Sequence, residues 1–196
     1  MLIRNNNFFA PYYIFIKKGN KLKEREFFER LELFDYNLTS DDWKSDDKIL
    51  LDGKKRYLFL TESENWTHLM DDWMYTLWHD TNFKSNVTKL SKYFDIYCCS
   101  VGDVDESFDF KYFESGRLKR EYIVEDPKFR GGEITKNFGI PFIGEEIALN
   151  KKEPLDKVLS IAKLVGINIE HQLDKIKCYA RLERESEAFF FNKNEY

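Results

Sequence analysis

The chain has 196 residues, enough for one domain with a substantial core and too few for two comfortable ones. Hydrophobic residues at 42% and aromatics at 17%, with 18 Phe and 11 Tyr, supply the apolar surface that offsets chain entropy, which excludes a disordered chain. Charged residues reach 34% with a formal net charge of -4, a balance that favours solubility and disfavours phosphate backbones, so nucleic acid is not an expected partner.

Met1 to Ala10 lacks a basic stretch followed by a long apolar core, so it does not read as a signal peptide. No apolar run approaches the roughly 18 residues needed to cross a bilayer. The expectation is a cytoplasmic protein with no membrane partner. Pro11 to Lys18 then reads as a buried strand, aromatic and β-branched, closed by the turn pair Gly19-Asn20. Lys21 to Leu33 is mixed, because Phe27, Phe28, Leu31 and Phe34 keep helical spacing while the preceding residues alternate. Ser40 to Lys48 contains two short Ser-Asp-Asp echoes and reads as a loop.

Arg56 to Thr61 is the clearest strand of the first half, and Asn65 to Met70 is expected to pair with it. Phe83, Val87, Leu90 and Phe94 recur at helical intervals, with Thr81, Asn82 and Ser85 as available caps. Asp95 to Val101 reads as a strand leaving that helix. Ser107 to Phe113 and Arg117 to Val124 alternate apolar and polar residues around Ser115-Gly116, which predicts an antiparallel hairpin. Its register is open: a three-residue loop aligns Tyr112 with Leu118 and Phe108 with Tyr122, but opposes Lys111 to Lys119. Pro127 to Glu146 reads as loop-rich, punctuated by Gly131-Gly132, Gly139-Ile-Pro141 and Gly144.

Pro154 to Gly166 is the strongest predicted helix. Pro154 suits the first position, Leu155, Val158, Leu159, Ala162 and Val165 share one face, and Gly166 suits the stop. Lys175 to Leu182 fits a strand or a helix. Cys98, Cys99 and Cys178 form no disulfide framework and read as reduced, buried thiols; on a strand, Cys98 and Cys99 would face opposite ways. No Pro/Ser-rich linker divides the chain. The expected fold is therefore one α+β domain over residues 1–196, a mostly antiparallel sheet packed with two or three helices.

The chemistry-bearing candidates are few. Asp103, Asp105, Ser107, Asp109 and Glu114 fall at the oxygen-ligand positions of a calcium loop, but Phe108 stands where the sharp turn needs glycine. Asp103, Asp105 and Asp109 with Lys111 could on paper serve a metal-dependent hydrolase. His68, His79 and His171 have no His or Cys at ligand spacing, and there is no nucleophile elbow or phosphate-binding glycine loop. No metal and no cofactor are expected. From Asp103 to Glu114 the chain carries five acids and one lysine, a local field suited to steering a basic partner. Trp73 and Trp78 lie close to Trp66, Tyr75 and Asp71-Asp72, and such rings serve either as core or as anchors of a protein interface.

One further pattern runs through Trp66-Thr-His-Leu-Met-Asp-Asp72, Leu90-Ser-Lys-Tyr-Phe94, Asp103 to Phe110, Gly116-Arg-Leu-Lys-Arg120, Asn137-Phe-Gly-Ile-Pro141 and Gly144-Glu-Glu146. In these segments the chain resembles small uncharacterised bacterial proteins, some of which look like immunity proteins of polymorphic toxin systems. The resemblance carries over no catalytic residue. It implies an intracellular protein that neutralises a partner toxin by binding. The expected function is thus a non-enzymatic binding protein meeting a basic toxin through Trp73, Trp78, Asp103, Asp105 and Glu106. The alternatives are the small hydrolase built on Asp103, Asp105 and Asp109, or a structural protein without a ligand.

Overall fold

A computed structural model describes residues 12–17, 24–42, 54–62, 65–71, 81–102, 106–126, 131–167 and 176–182. Among these residues nine strands make one antiparallel sheet. They are β1 (Tyr12–Lys17), β2 (Asn37–Ser40), β3 (Lys55–Glu62), β4 (Trp66–Asp71), β5 (Ile96–Val101), β6 (Phe108–Glu114), β7 (Arg117–Glu125), β8 (Glu133–Gly139) and β9 (Ile176–Leu182). Their order across the sheet is β2-β9-β3-β4-β1-β5-β6-β7-β8. Four helices accompany them: α1 (Glu24–Arg30), α2 (Thr81–Leu90), α3 (Glu145–Leu149) and α4 (Pro154–Leu164). The α+β class and the predominantly antiparallel sheet agree with the expectation from sequence.

β1, β3, β5 and β9 bury both faces, which is why their apolar runs are nearly continuous rather than strictly alternating. On one face, Phe27 and Phe28 of α1 and Phe83, Val87 and Leu90 of α2 pack on Ile14, Ile16, Leu58, Leu60, Leu69, Ile96 and Cys98. On the other, Val158, Ile161 and Ala162 of α4 and Ala148 of α3 cover Phe15, Phe59, Tyr97, Cys99, Phe110 and Tyr122. Two hydrophobic layers therefore sandwich the sheet between helix pairs. Each successive strand residue belongs to a different layer, and Cys98 and Cys99 follow that rule as expected. All three cysteines are buried thiols outside any disulfide. The Tyr97 hydroxyl, at the sheet centre, donates to the Val158 carbonyl at 2.9 Å and so pins α4 to β5.

The ambiguous segments resolve through packing. Helical spacing prevails at Glu24–Arg30, where Arg25–Glu29 and Glu26–Arg30 pairs reinforce it. Ile176–Leu182 becomes a strand because it fills the gap between β2 and β3, pairing Leu58 with Tyr179 and Leu38 with Tyr179 on its two sides. The predicted β3–β4 pairing forms, with Leu60 opposite Leu69. Pro127 to Glu146 departs from its reading as loop: Glu133–Gly139 is β8, a full edge strand, and Glu145–Leu149 is α3. Every residue of β8 is exposed, so it lacks the buried apolar face by which a strand is recognised from sequence. Among the described residues no helix is long and apolar enough to cross a membrane.

Candidate binding surface

The β6–β7 hairpin organises this end of the molecule. Ser115 and Gly116 have φ of 51° and 73°, so a two-residue turn joins the strands, with both central residues left-handed as its twist requires. The Gly116 N–H donates to the Ser91 carbonyl at 2.8 Å, docking the turn on the end of α2. A register shift between Tyr112 and Phe113 then places Tyr112 opposite Arg120 and Lys111 opposite Glu121. The hairpin itself is as predicted; the three-residue alignment is corrected, because the bulge removes the Lys111–Lys119 opposition and puts an acid across from Lys111.

That acid belongs to a chain of ion pairs crossing four strands. Ser100 donates to Asp109 Oδ1 at 2.9 Å, Lys111 reaches Asp109 Oδ2 at 2.5 Å and Glu121 Oε1 at 4.0 Å, and Lys136 holds Glu121 Oε2 at 2.7 Å. The Asp109-Phe-Lys111 match that suggested a hydrolase is an ion pair on one face of β6. Asp109 and Glu114 lie on this extended strand and not in a calcium-loop turn. Among the described residues no group of three or more His, Cys, Asp or Glu is arranged to hold a metal.

On the opposite face, Arg120 is 1% exposed and joins β7, β8 and α3. Its Nε donates to both Glu145 oxygens at 3.0 and 3.2 Å, and its Nη2 to Oε1 at 2.5 Å. Its Nη1 donates to Asn137 Oδ1 at 2.8 Å and to the Phe138 carbonyl at 2.7 Å. The guanidinium lies over the rings of Phe110 and Tyr122, 5.7 and 5.4 Å from their centroids. Glu145, 2% exposed, accepts in addition the Phe142 N–H at 3.1 Å. Nearly every polar atom of this buried pair is thus satisfied, the condition under which such a pair rigidifies its surroundings.

The segment so clamped is the connection from β8 to α3. Gly139 ends β8 at φ 87°, where an added Cβ would stand 1.9 Å from the Lys119 carbonyl oxygen, so only glycine allows this turn. Beyond it Phe142 and Ala148 pack on the core, while three isoleucines do not. Ile140 is 86% exposed, Ile143 98% and Ile147 74%. Leu164 of α4, 40% exposed, lies beside Gly144. Ile140 and Ile143 on the braced connection and Ile147 on α3 are thus large aliphatic side chains left in solvent, the kind of group a protein contact covers.

An acidic corner lies at the other end of β8. Asp126 is buried and its carboxylate accepts the N–H groups of Glu106 and Gly131 at 3.3 and 3.4 Å. This brings half-buried Glu106 beside Gly132, where an added Cβ would lie 3.6 Å from the Glu106 Cβ. Exposed Glu125 and Glu133 oppose each other directly on β7 and β8.

Of the residues singled out from sequence, Glu106 sits at this corner, while Trp73, Trp78, Asp103 and Asp105 lie outside the described residues. Trp66 is buried in the core. Sequence reasoning missed Arg120, Glu145 and the isoleucines. Gly139-Ile-Pro141 and Gly144 marked the place, but apolar residues among turn signals do not announce whether they face inward. Elsewhere, buried groups are held uncharged: burial pushes the Tyr97 hydroxyl and the Cys99 thiol well above their usual ranges, with Asp109 adding to both. A thiol in that state is a poor nucleophile.

Comparison with known proteins adds no relative: no family model matches the chain, and neither a curated protein nor a solved structure matches it.

Proposed function

We propose that the chain is a non-enzymatic binding protein of the immunity type, which occupies a basic toxin partner in the cytoplasm and neutralises it. The observation that carries this reading is the exposure of Ile140 and Ile143 on a connection braced by the buried Arg120–Glu145 pair, with Ile147 exposed on α3 just beyond it. Exposing three large aliphatic side chains forfeits burial worth about 1.5–3 kcal/mol each, which a partner surface would recover. Bracing the connection beforehand lowers the ordering cost of association. The acids at Glu106, Glu125 and Glu133 supply a field of the sign that attracts a basic surface, and with it rate and specificity.

The test is capture of a partner from native cytoplasm, followed by binding kinetics on variants. Ile143→Ser with Ile147→Ser is expected to speed dissociation while leaving stability within about 0.5 kcal/mol of the parent, since both side chains are exposed. Charge reversal at Asp103, Asp105 and Glu106 is expected to slow association and weaken its salt dependence. Trp73→Ala or Trp78→Ala is expected to speed dissociation if that ring is an anchor, and to lower stability without a binding defect if it is core. Recovery of no macromolecular partner, together with metal-dependent hydrolysis lost in Asp105→Asn, would overturn the reading in favour of the hydrolase.

A further inference from the structure

How the partner is held follows from β8, and this step rests on the binding reading above. Among the described residues β8 has a hydrogen-bonded neighbour on one side only, and all seven of its residues are exposed. The opposite edge of the sheet is blunted: β2 has four residues and a register shift between Leu38 and Ser40. β8 is longer, with seven residues; its own register shift, between Ile123 and Val124, lies near its start, and from Lys136 to Gly139 it stays in regular register with Ile123 to Arg120. An open edge of this kind presents N–H and C=O groups as a template for another strand.

Charge selects the strand. Glu125 and Glu133 stand directly opposite each other, an arrangement that costs stability, and Glu106 lies beside them. No lysine or arginine among the described residues pairs with any of the three, although Lys136 on the same strand is paired with Glu121. The edge is therefore acidic at its start and apolar at its end, where Gly139 leads into Ile140.

We propose that an extended, basic segment of the partner protein adds to β8 as a further antiparallel strand, its cationic side chains meeting Glu106, Glu125 and Glu133 and its far end reaching Ile140. Main-chain hydrogen bonds would hold the segment and the acids would choose it.

The full chain is tested with a synthetic peptide of about seven residues alternating valine with lysine or threonine, matching the length of β8. Its controls are a counterpart with glutamate for lysine and a backbone N-methylated form. The basic peptide is expected to slow amide exchange across residues 133–139, and both controls to leave it unchanged. Glu125→Gln with Glu133→Gln is expected to weaken the peptide about tenfold while the melting temperature holds or rises. Absence of slowing at 133–139, or equal slowing by the acidic peptide, would overturn the inference. Slowing that grows with protein concentration and no peptide would overturn it in favour of a second copy of the chain. If the peptide adds to β8 but no protein partner depends on Ile143, the binding reading fails and the edge assignment stands. If such a partner exists and the peptide leaves β8 unprotected, the reverse holds.

Discussion

Cys98 and Cys99 are adjacent in β5 yet belong to different hydrophobic layers, Cys98 beneath α2 and Cys99 beneath α4. Each is fully buried, and Cys99 has its thiol pushed up by burial and by Asp109. Neither can be reached without opening the side of the molecule that covers it. A thiol reagent is therefore expected to label Cys98, Cys99 and Cys178 only as fast as the protein unfolds, with immediate labelling in denaturant. Rapid modification of any one in the native state would contradict this packing.

The Arg120–Glu145 pair is expected to be costly to break from either side. Arg120→Met strands a buried carboxylate and leaves the Phe138 carbonyl without its donor, and should lower unfolding free energy by about 3–5 kcal/mol. Glu145→Leu strands the guanidinium at similar cost. The double variant should recover part of the loss, because the buried charges are gone, but not all, because Asn137, Phe138 and Phe142 still lose partners. Urea unfolding of the three variants measures the coupling.

Gly139 and Gly116 separate two costs of replacing a left-handed glycine. Gly139→Ala meets the Lys119 carbonyl, part of the backbone, so β7 or β8 must shift. Gly116→Ala meets Lys92 Cγ at 2.7 Å, on a flexible exposed side chain that can move aside. Gly116→Ala is expected to cost about 1–2 kcal/mol for its dihedral alone, and Gly139→Ala clearly more. Denaturation midpoints at matched slope decide it.

Alkaline pH should destabilise the fold through its tyrosines. Burial raises Tyr112 to about 12, helped by Asp95, and raises Tyr97, Tyr122 and Tyr179, the last also through its hydrogen bond to Glu24. The neutral phenols are favoured in the folded state, so it binds more protons than the unfolded state above the ordinary value of 10. The stability they contribute is fully present below about pH 10 and is lost as pH rises toward about 12. Unfolding midpoints should fall across that window as tyrosinate absorbance rises. A stability that rose with pH there would reverse the sign.

Most strands with a buried face were legible in sequence, although Ile176–Leu182 stayed open between strand and helix, and the exposed strand β8 was not legible. Arg56 to Thr61 and Asp95 to Val101 announced themselves because burial on both faces demands continuous apolar residues. The α4 helix was readable to its ends, since Pro154 and Gly166 mark them; of the face read as Leu155, Val158, Leu159, Ala162 and Val165, Val158 and Ala162 are buried, together with Ile161, which that reading left out. β8 was invisible because its side chains face solvent and its pairing rests on backbone groups that every residue shares. The hairpin register escaped because a bulge beside Tyr112 shifts it, and a bulge leaves no reliable composition signal. Arg120 and Glu145, 25 residues apart, each look like an ordinary surface charge until β8 and α3 bring them together.

The position of β9 has a consequence for the order of assembly. β5, β6, β7 and β8 are consecutive in the chain and neighbours in space, so their contacts close over short loops. β2 and β3 are not paired directly; Ile176–Leu182 stands between them and joins the two. During synthesis the β5–β8 side can therefore form early, while β2 waits for a segment made more than a hundred residues later. A ribosome halted before Ile176 would release a chain whose β3 edge is bare, carrying Tyr57, Leu58, Phe59 and Leu60 in succession, a run prone to pair with whatever strand it meets.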